Sequence, residues 1–369
     1  MQITLFRLLT LTILLGAATA SAQTAPEPKT PPPDLGKTLT DNGPGSLQPI
    51  ASVPGDALDA MDMSNLLDRR TEAAIKRGLD NLKKIQESDG AWGKASDQNR
   101  EGYTAFAMIA FMINGHFPNK KQPYGETMTR ALNYLLKEAK SEFFGYIGKN
   151  MYAHGLCTVA LSEVWGQTEK DDEVREVLKA AVKVILNAQN SAGGWRYKPV
   201  PAGDDLSVTA MQVVALASAR QAGIFVPDDT INRGVRYLSL CSSPTDGGFA
   251  YMPGPGVSGF ARSGAAVTSL MLLGRHDAPQ TVRGFEYIRK EAKKALGGTE
   301  SWTYAMYYAT CAMYIGNPKD FQWWYPQIRD ILLSKQTADG SFGGRGEYDT
   351  SVALIVLGFP YGFVPTYQR

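Results

Sequence analysis

The sequence predicts an all-α protein of six helix pairs, one helix of each pair in an outer layer and one in an inner layer. Three observations carry this expectation. An amphipathic helical pattern recurs six times, a nearly apolar pattern answers each copy, and four of the six links between them share one turn. The spacing from pair to pair is about 43–56 residues, enough for two helices at about 1.5 Å rise per residue plus their loops.

The first pattern reads "IKRGLDNLKKIQ" at Ile75, "MTRALNYLLKEA" at Met128, "LKAAVKVILNAQ" at Leu178, "INRGVRYLSLCS" at Ile231, "VRGFEYIRKEAK" at Val282 and "IRDILLSKQ" at Ile328. Lys, Arg and Glu alternate there with an apolar stripe, as in a helix with one face in water. The second pattern reads "YTAFAMIAFMI" at Tyr103, "YAHGLCTVALSEV" at Tyr152, "SVTAMQVVALASA" at Ser207, "SGAAVTSLMLL" at Ser263, "MYYATCAMYI" at Met306 and "TSVALIVLGF" at Thr350. A helix apolar on all sides is buried, and its Ala, Gly, Ser and Thr allow close approach. The second set is therefore expected inside and the first outside.

The shared turns are "QESDGAW" (Gln86 to Trp92), "QNSAGGW" (Gln189 to Trp195), "SPTDGGF" (Ser243 to Phe249) and "QTADGSF" (Gln336 to Phe342). Their glycine suits the left-handed position that ends a helix. The links "SEFFGYI" and "KALGGTESW" depart from the pattern. A Gln, a Gly four residues on and an aromatic two further, once per helix pair, resembles the repeats of squalene–hopene cyclases and protein prenyltransferase beta subunits. The resemblance covers roughly residues 65–369 and extends to a group of exported bacterial proteins with these repeats. It implies a closed (α/α)6 toroid of twelve helices.

The preceding residues differ. Residues 1–22 carry one charge, Arg7, then an apolar run and Ala20-Ser21-Ala22. That is the pattern of a signal peptide cleaved after Ala22, too short for a membrane span of about 20 apolar residues. Residues 23–64, rich in Pro, Gly, Asp and Ser, read as a flexible linker. An exported, periplasmic or secreted protein is expected, with no later membrane span. Lys and Arg total 38 against 36 acidic residues, without the basic excess of a nucleic-acid binder. Three cysteines rule out a fold built on a disulfide framework.

The inner-helix N-termini should gather at one mouth of the ring, where their unpaired N–H groups meet. Asp204 and Asp205 open the third inner helix there. Asp205 reads first as a helix cap, second as a binding-site carboxylate and third as a catalytic acid. The resemblance sharpens the last reading and weakens it. Cyclases of the family use Asp-x-Asp-Asp-Thr-Ala; here Asp205 matches the first aspartate, but Ser207 and Val208 replace the other two. Prenyltransferases hold zinc with Asp-x-Cys and keep a Gln further on; Asp205 and Gln212 remain, but Ser207 replaces the thiolate. No cofactor is expected. His154 and Cys157 share a helix face and read as buried structural residues, as an acid–base His154, or, with Asp205, as a metal cluster. Asp205 and His154 are the candidate catalytic residues. Asp204, Ser207, Tyr152, Trp195, Tyr197, Arg262 and Asp349 are the candidate ligand contacts.

The function expected from these readings is binding of an elongated or apolar ligand in the bore. The alternatives are a carbohydrate-active enzyme with carboxylates across the mouth, Asp205 facing Glu347 or Asp349, and a structural interaction module.

Overall fold

The computed structural model describes residues 66–119, 121–141, 143–363 and 366. The signal peptide and linker expected over residues 1–64 lie outside them. The described chain forms twelve α-helices: α1 Arg69–Ile85, α2 Arg100–Ile113, α3 Gly125–Ala139, α4 Met151–Val164, α5 Asp171–Ala188, α6 Leu206–Gln221, α7 Asp228–Leu240, α8 Phe260–Leu272, α9 Pro279–Gly297, α10 Trp302–Gly316, α11 Pro318–Lys335 and α12 Gly346–Gly358. A short 3-10 turn, Phe359–Tyr361, follows α12.

The even-numbered helices pack in order, α2 on α4, α4 on α6, α6 on α8, α8 on α10, α10 on α12, and α12 back on α2. The odd-numbered helices surround them. The result is a closed (α/α)6 toroid, with the apolar set inside as its composition demands. Every residue of α10 from Tyr304 to Ile315 is buried. In α1 only one stripe is buried, with Ala74, Ile75, Gly78, Leu79 and Leu82 at helical spacing. Small residues set the inner spacing: a Cβ on Gly264 of α8 would lie 3.1 Å from the Cβ of Tyr308 in α10.

The recurring turn is a latch between neighbouring repeats. Gln189 Nε2 donates to Gly193 O at 3.0 Å, holding its own turn, and to Thr230 O at 3.0 Å, at the start of the next outer helix. Gln86 joins Gly90 O and Thr127 O in the same way. The turn aromatic then fills the space behind. Trp195 is fully buried, and its indole N–H donates to Ile185 O at 2.7 Å. Its backbone N–H donates to the Thr209 hydroxyl in α6. The backbone N–H groups of Trp92, Phe249 and Phe342 likewise find Thr104, Ser263 and Thr350. All four turns are thus bonded to their own inner helix, and the Gln turns also to the next outer one.

The same latch closes the ring. Gln336 Nε2 donates to Gly340 O and, across the seam, to Ala74 O at 2.8 Å. Asn81 Nδ2 reaches Asp339 O, and Arg77 bonds the Gln336 side-chain oxygen. The far end of the ring is pinned differently. The Glu163 carboxylate near the end of α4 accepts from the Ser218 hydroxyl in α6 and from the Thr366 backbone and side chain.

Gly340 takes φ +89°, and a Cβ there would sit 2.4 Å from Arg77 O. Gly340→Ala is therefore expected to cost at least about 1–2 kcal/mol from the backbone conformation alone, plus the clash across the seam. Gly344→Ala, at an open position with nothing within 4 Å, should change stability by less than about 0.5 kcal/mol. Equal denaturant midpoints for the two variants would refute the latch as a source of stability.

Candidate functional site

The first turns of the inner helices meet at one end of the ring, shown by ring pairs such as Tyr152 with Tyr304 (6.3 Å) and Tyr103 with Tyr348 (5.9 Å). Asp205 is the N-cap of α6. Its backbone is extended (φ −156°, ψ 160°), and Oδ1 accepts from Val208 N at 2.9 Å. The cap uses only one oxygen. Oδ2 is buried with no well-formed donor, while the Tyr251 hydroxyl close by still draws the pKa down. Burial outweighs that pull and the cap's own N–H bond, so the carboxyl titrates above the ordinary aspartate range.

Tyrosines surround this carboxyl. Tyr197 and Tyr251 both feel its charge, and burial together with that charge raises both their pKa values. Tyr304 is also raised, by burial first and by Asp205 among its neighbours, with Ser207 and Tyr152 offering hydroxyls that pull the other way. The Tyr152 and Tyr308 hydroxyls lie 3.3 Å apart. The structure therefore gathers Asp205, Ser207, Tyr152 and Tyr197 from the expected set and adds Tyr251 and Tyr304. Tyr251 had a readable signal: Phe249-Ala-Tyr251-Met-Pro253 repeats the spacing of Trp195-Arg-Tyr197-Lys-Pro199 one repeat later.

Below this cup the bore is crossed by aromatic rings. Tyr304 packs on Tyr308 (4.9 Å), Tyr308 on Tyr307 (4.7 Å), Tyr307 edge-on to Phe106 (5.7 Å), and Phe106 on Tyr348 (5.5 Å). Tyr307 is 2% exposed, Tyr308 1% and Phe106 3%, so solvent has almost no access at this depth. At this depth the bore, expected to take an elongated or apolar ligand, is filled by side chains.

Several expected site residues serve the scaffold instead. His154 is fully buried; Nδ1 accepts from Ile147 N at 3.1 Å, and Nε2 faces Ala181 O at 3.1 Å, so the neutral tautomer with the proton on Nε2 satisfies both. It stands where Thr104, Thr209, Ser263 and Thr350 stand in other repeats, receiving the N–H of the turn residue two after the glycine. Ile147 is smaller than tryptophan, and the imidazole fills part of the difference. Burial pushes the His154 pKa down to about 4. The Cys157 thiol donates to Glu101 O. His154, Cys157 and Asp205 are thus committed to separate partners, and among the described residues no group of three or more His, Cys, Asp or Glu is placed to hold a metal.

Asp204 points the other way from Asp205, as neighbours in extended backbone do. It accepts from Tyr237 OH at 2.7 Å and Asn190 Nδ2 at 2.6 Å, tying the start of α6 to the latch turn and to α7. Trp195 is sealed in the latch and offers no face to a ligand. Asp349 lies inside the first turn of α12 rather than before it, and accepts from Thr303, the Arg345 side chain, and the Gly344 and Arg345 amides. Arg262 turns back to Val257 O at 3.1 Å.

Two titrations separate these roles. The lowered pKa keeps His154 neutral in the fold, so its contribution to stability is complete above the unfolded value of about 6.5 and lost as pH falls toward 4. Its imidazole resonances should not move between pH 8 and 5.5; a midpoint near 6.5 would return it to the acid–base candidates. Asp205 runs the opposite way. Its raised pKa stabilises the fold below the unfolded value of about 3.9, and this is lost as pH rises through the folded value. Asp205→Asn keeps a good cap and removes the charge, so its melting point should rise relative to wild type as pH rises from about 4 to 7. Asp205→Ala should cost about 0.5–2 kcal/mol through the lost cap. A pH-independent gap between Asp205→Asn and wild type would contradict the raised pKa.

Comparison with known proteins agrees at the level of architecture. No family model matches the chain, and no curated relative does. Among solved structures it is similar to a cellobiose 2-epimerase from Bacillus thermoamylovorans (13% identity, TM-score 0.59, covering 78% of this chain and 97% of that one). It is also similar to a GH76 α-mannanase from Bacteroides thetaiotaomicron (11%, TM-score 0.59, 79% and 96%). A third likeness is to the type II terpene cyclase MstE from Scytonema, solved with geranylgeranyl dihydroxybenzoate (10%, TM-score 0.53, 80% and 98%). At these identities the likeness is one of fold: the chain is an α/α toroid, an architecture shared by enzymes of carbohydrate and of terpene chemistry.

Proposed function

We propose that the protein binds the end of a glycan in the cup formed by Asp205, Ser207, Tyr152, Tyr197, Tyr251 and Tyr304, with protonated Asp205 donating to it. The observation that carries this reading is the uncommitted oxygen of Asp205, buried among tyrosines above a bore that is already filled. A carboxyl with a raised pKa and several phenols suit a ligand rich in hydroxyls and ring C–H faces. A long polyprenyl chain needs depth that Tyr307, Tyr308 and Phe106 occupy. Asp205 is fully buried, so the ligand reaches it by parting Tyr197 and Tyr251, which ride on two Pro- and Gly-rich loops. The mannanase and the epimerase put sugar chemistry within the range of this architecture. The apolar leader at residues 8–19 makes an extracytoplasmic ligand part of the proposal.

The second reading is an apolar or elongated ligand, as for the terpene cyclase. What favours it is the apolar rim: Val200, Met252 and Val257 are exposed on the same two loops.

The test is calorimetric titration of the full chain at about pH 5.5 with oligosaccharides and, separately, with a geranylgeranyl amphiphile. Asp205→Asn and Tyr251→Phe should each weaken oligosaccharide binding at least tenfold, about 1.4 kcal/mol, without lowering the melting point. Binding of the amphiphile alone, weakened by the same variants, would put the second reading first. No binding of either class would overturn both.

A further inference from the structure

The junction between the fifth and sixth repeats departs from the latch pattern. At three other junctions the turn aromatic lies under a glycine of the next outer helix. A Cβ on Gly234 would sit 3.3 Å from the Trp195 ring, and one on Gly284 2.6 Å from the Phe249 ring. Across the seam, one on Gly78 would lie 3.2 Å from Phe342. The link from α9 to α10, "ALGGTESW", has neither the Gln nor the turn aromatic. Ala305 stands where the other inner helices carry Thr, Ser or His. In α11, Ile328 replaces the glycine at the same distance from the helix end.

The same junction holds a cavity of about 240 Å³ among α10, α11 and α12, with Phe342, Gly343 and Gly344 of the following turn on its wall. Met306, Leu332, Val352, Ala353 and Val356 supply apolar walls, and Trp302 and Lys335 stand on its border. The Lys335 ammonium lies 4.0 Å from the centre of the Trp302 ring and forms no ion pair among the described residues. Asp349, also on the border, is already paired with Arg345 and hydrogen-bonded by Thr303 and the Gly344 amide. The cavity therefore pairs an apolar interior with one uncompensated positive charge. An apolar cavity of about 150 Å³ takes up benzene, so this one has room for a larger body.

We propose that this junction is a second binding site, separate from the Asp205 cup, for a small amphipathic carboxylate. The apolar body, no larger than about two fused rings, enters between α10 and α12, and the carboxylate pairs with Lys335. Apolar burial and charge-assisted bonding then act at opposite ends of one ligand.

The experiment titrates the full chain with naphthalene-2-carboxylate and with uncharged 2-methylnaphthalene, by ligand-observed NMR and calorimetry. Wild type should bind the carboxylate saturably. Lys335→Met, on the exposed edge, should weaken the carboxylate at least tenfold and leave 2-methylnaphthalene within about twofold. Ala353→Leu should abolish both while keeping the melting point, and Val352→Leu makes the same test if that variant does not fold. Asp205→Asn should leave this binding unchanged, which separates the junction from the mouth. No saturable binding by wild type, or wild-type binding by both the Lys335 and the cavity-filling variants, overturns the proposal.

Discussion

Helices that are apolar on every side set the terms for this molecule. A single α10 or α12 has no face fit for water, so a helix pair is not a stable unit. Each inner helix needs an inner neighbour on both sides and an outer helix behind it. Only a ring gives every inner helix the same surroundings, because an open array strands apolar surface at each end. The latch answers the geometric half of the problem. Gln fixes the turn to the next outer helix, the glycine lets the two backbones touch, and the aromatic fills the wedge behind them. Its glutamine amide N–H groups are spent on two carbonyls, one in the turn and one in the next outer helix.

The cup at the mouth shows how a scaffold position acquires chemistry. Capping a helix needs one carboxylate oxygen. When the cap also sits under tyrosines, the second oxygen is stripped of water and left without a strong donor. The result is a carboxyl with a raised affinity for protons, held rigidly by the helix it starts. A cap and an acid are thus compatible roles for one residue, carried by its two oxygens.

The helix pairs, their inner and outer assignment and the latch turns were legible in the sequence, because periodicity and turn chemistry are local. The closure was legible through the apolar inner set and the repeat count. The direction of individual side chains was not. Asp204 and Asp205 are adjacent and chemically identical, and only the extended backbone at the cap sends one into the cup and the other to Tyr237. For His154 the sequence left a buried structural role, an acid–base role and a metal role open; aligning it with Thr104, Thr209, Ser263 and Thr350 shows it as the local form of a structural hydroxyl. The filling of the bore was hidden for a different reason. Tyr307 and Tyr308 were visible, but whether rings on α10 meet Phe106 on α2 depends on a ring diameter that no single helix encodes.

The seam between the last repeat and the first is made by the same bonds as the interior junctions, Gln336 to Ala74 repeating Gln189 to Thr230. Arg329 also reaches back to Leu66 O, so α11 holds the chain just ahead of α1. Structurally, then, the seam is equivalent to the other Gln-latched links. Chain connectivity and architecture are decoupled: the order of repeats around the circle matters, while the point of entry into it does not. A gene for such a ring is free to begin at a different repeat, and the link between α9 and α10, which carries no Gln latch, is one place to cut.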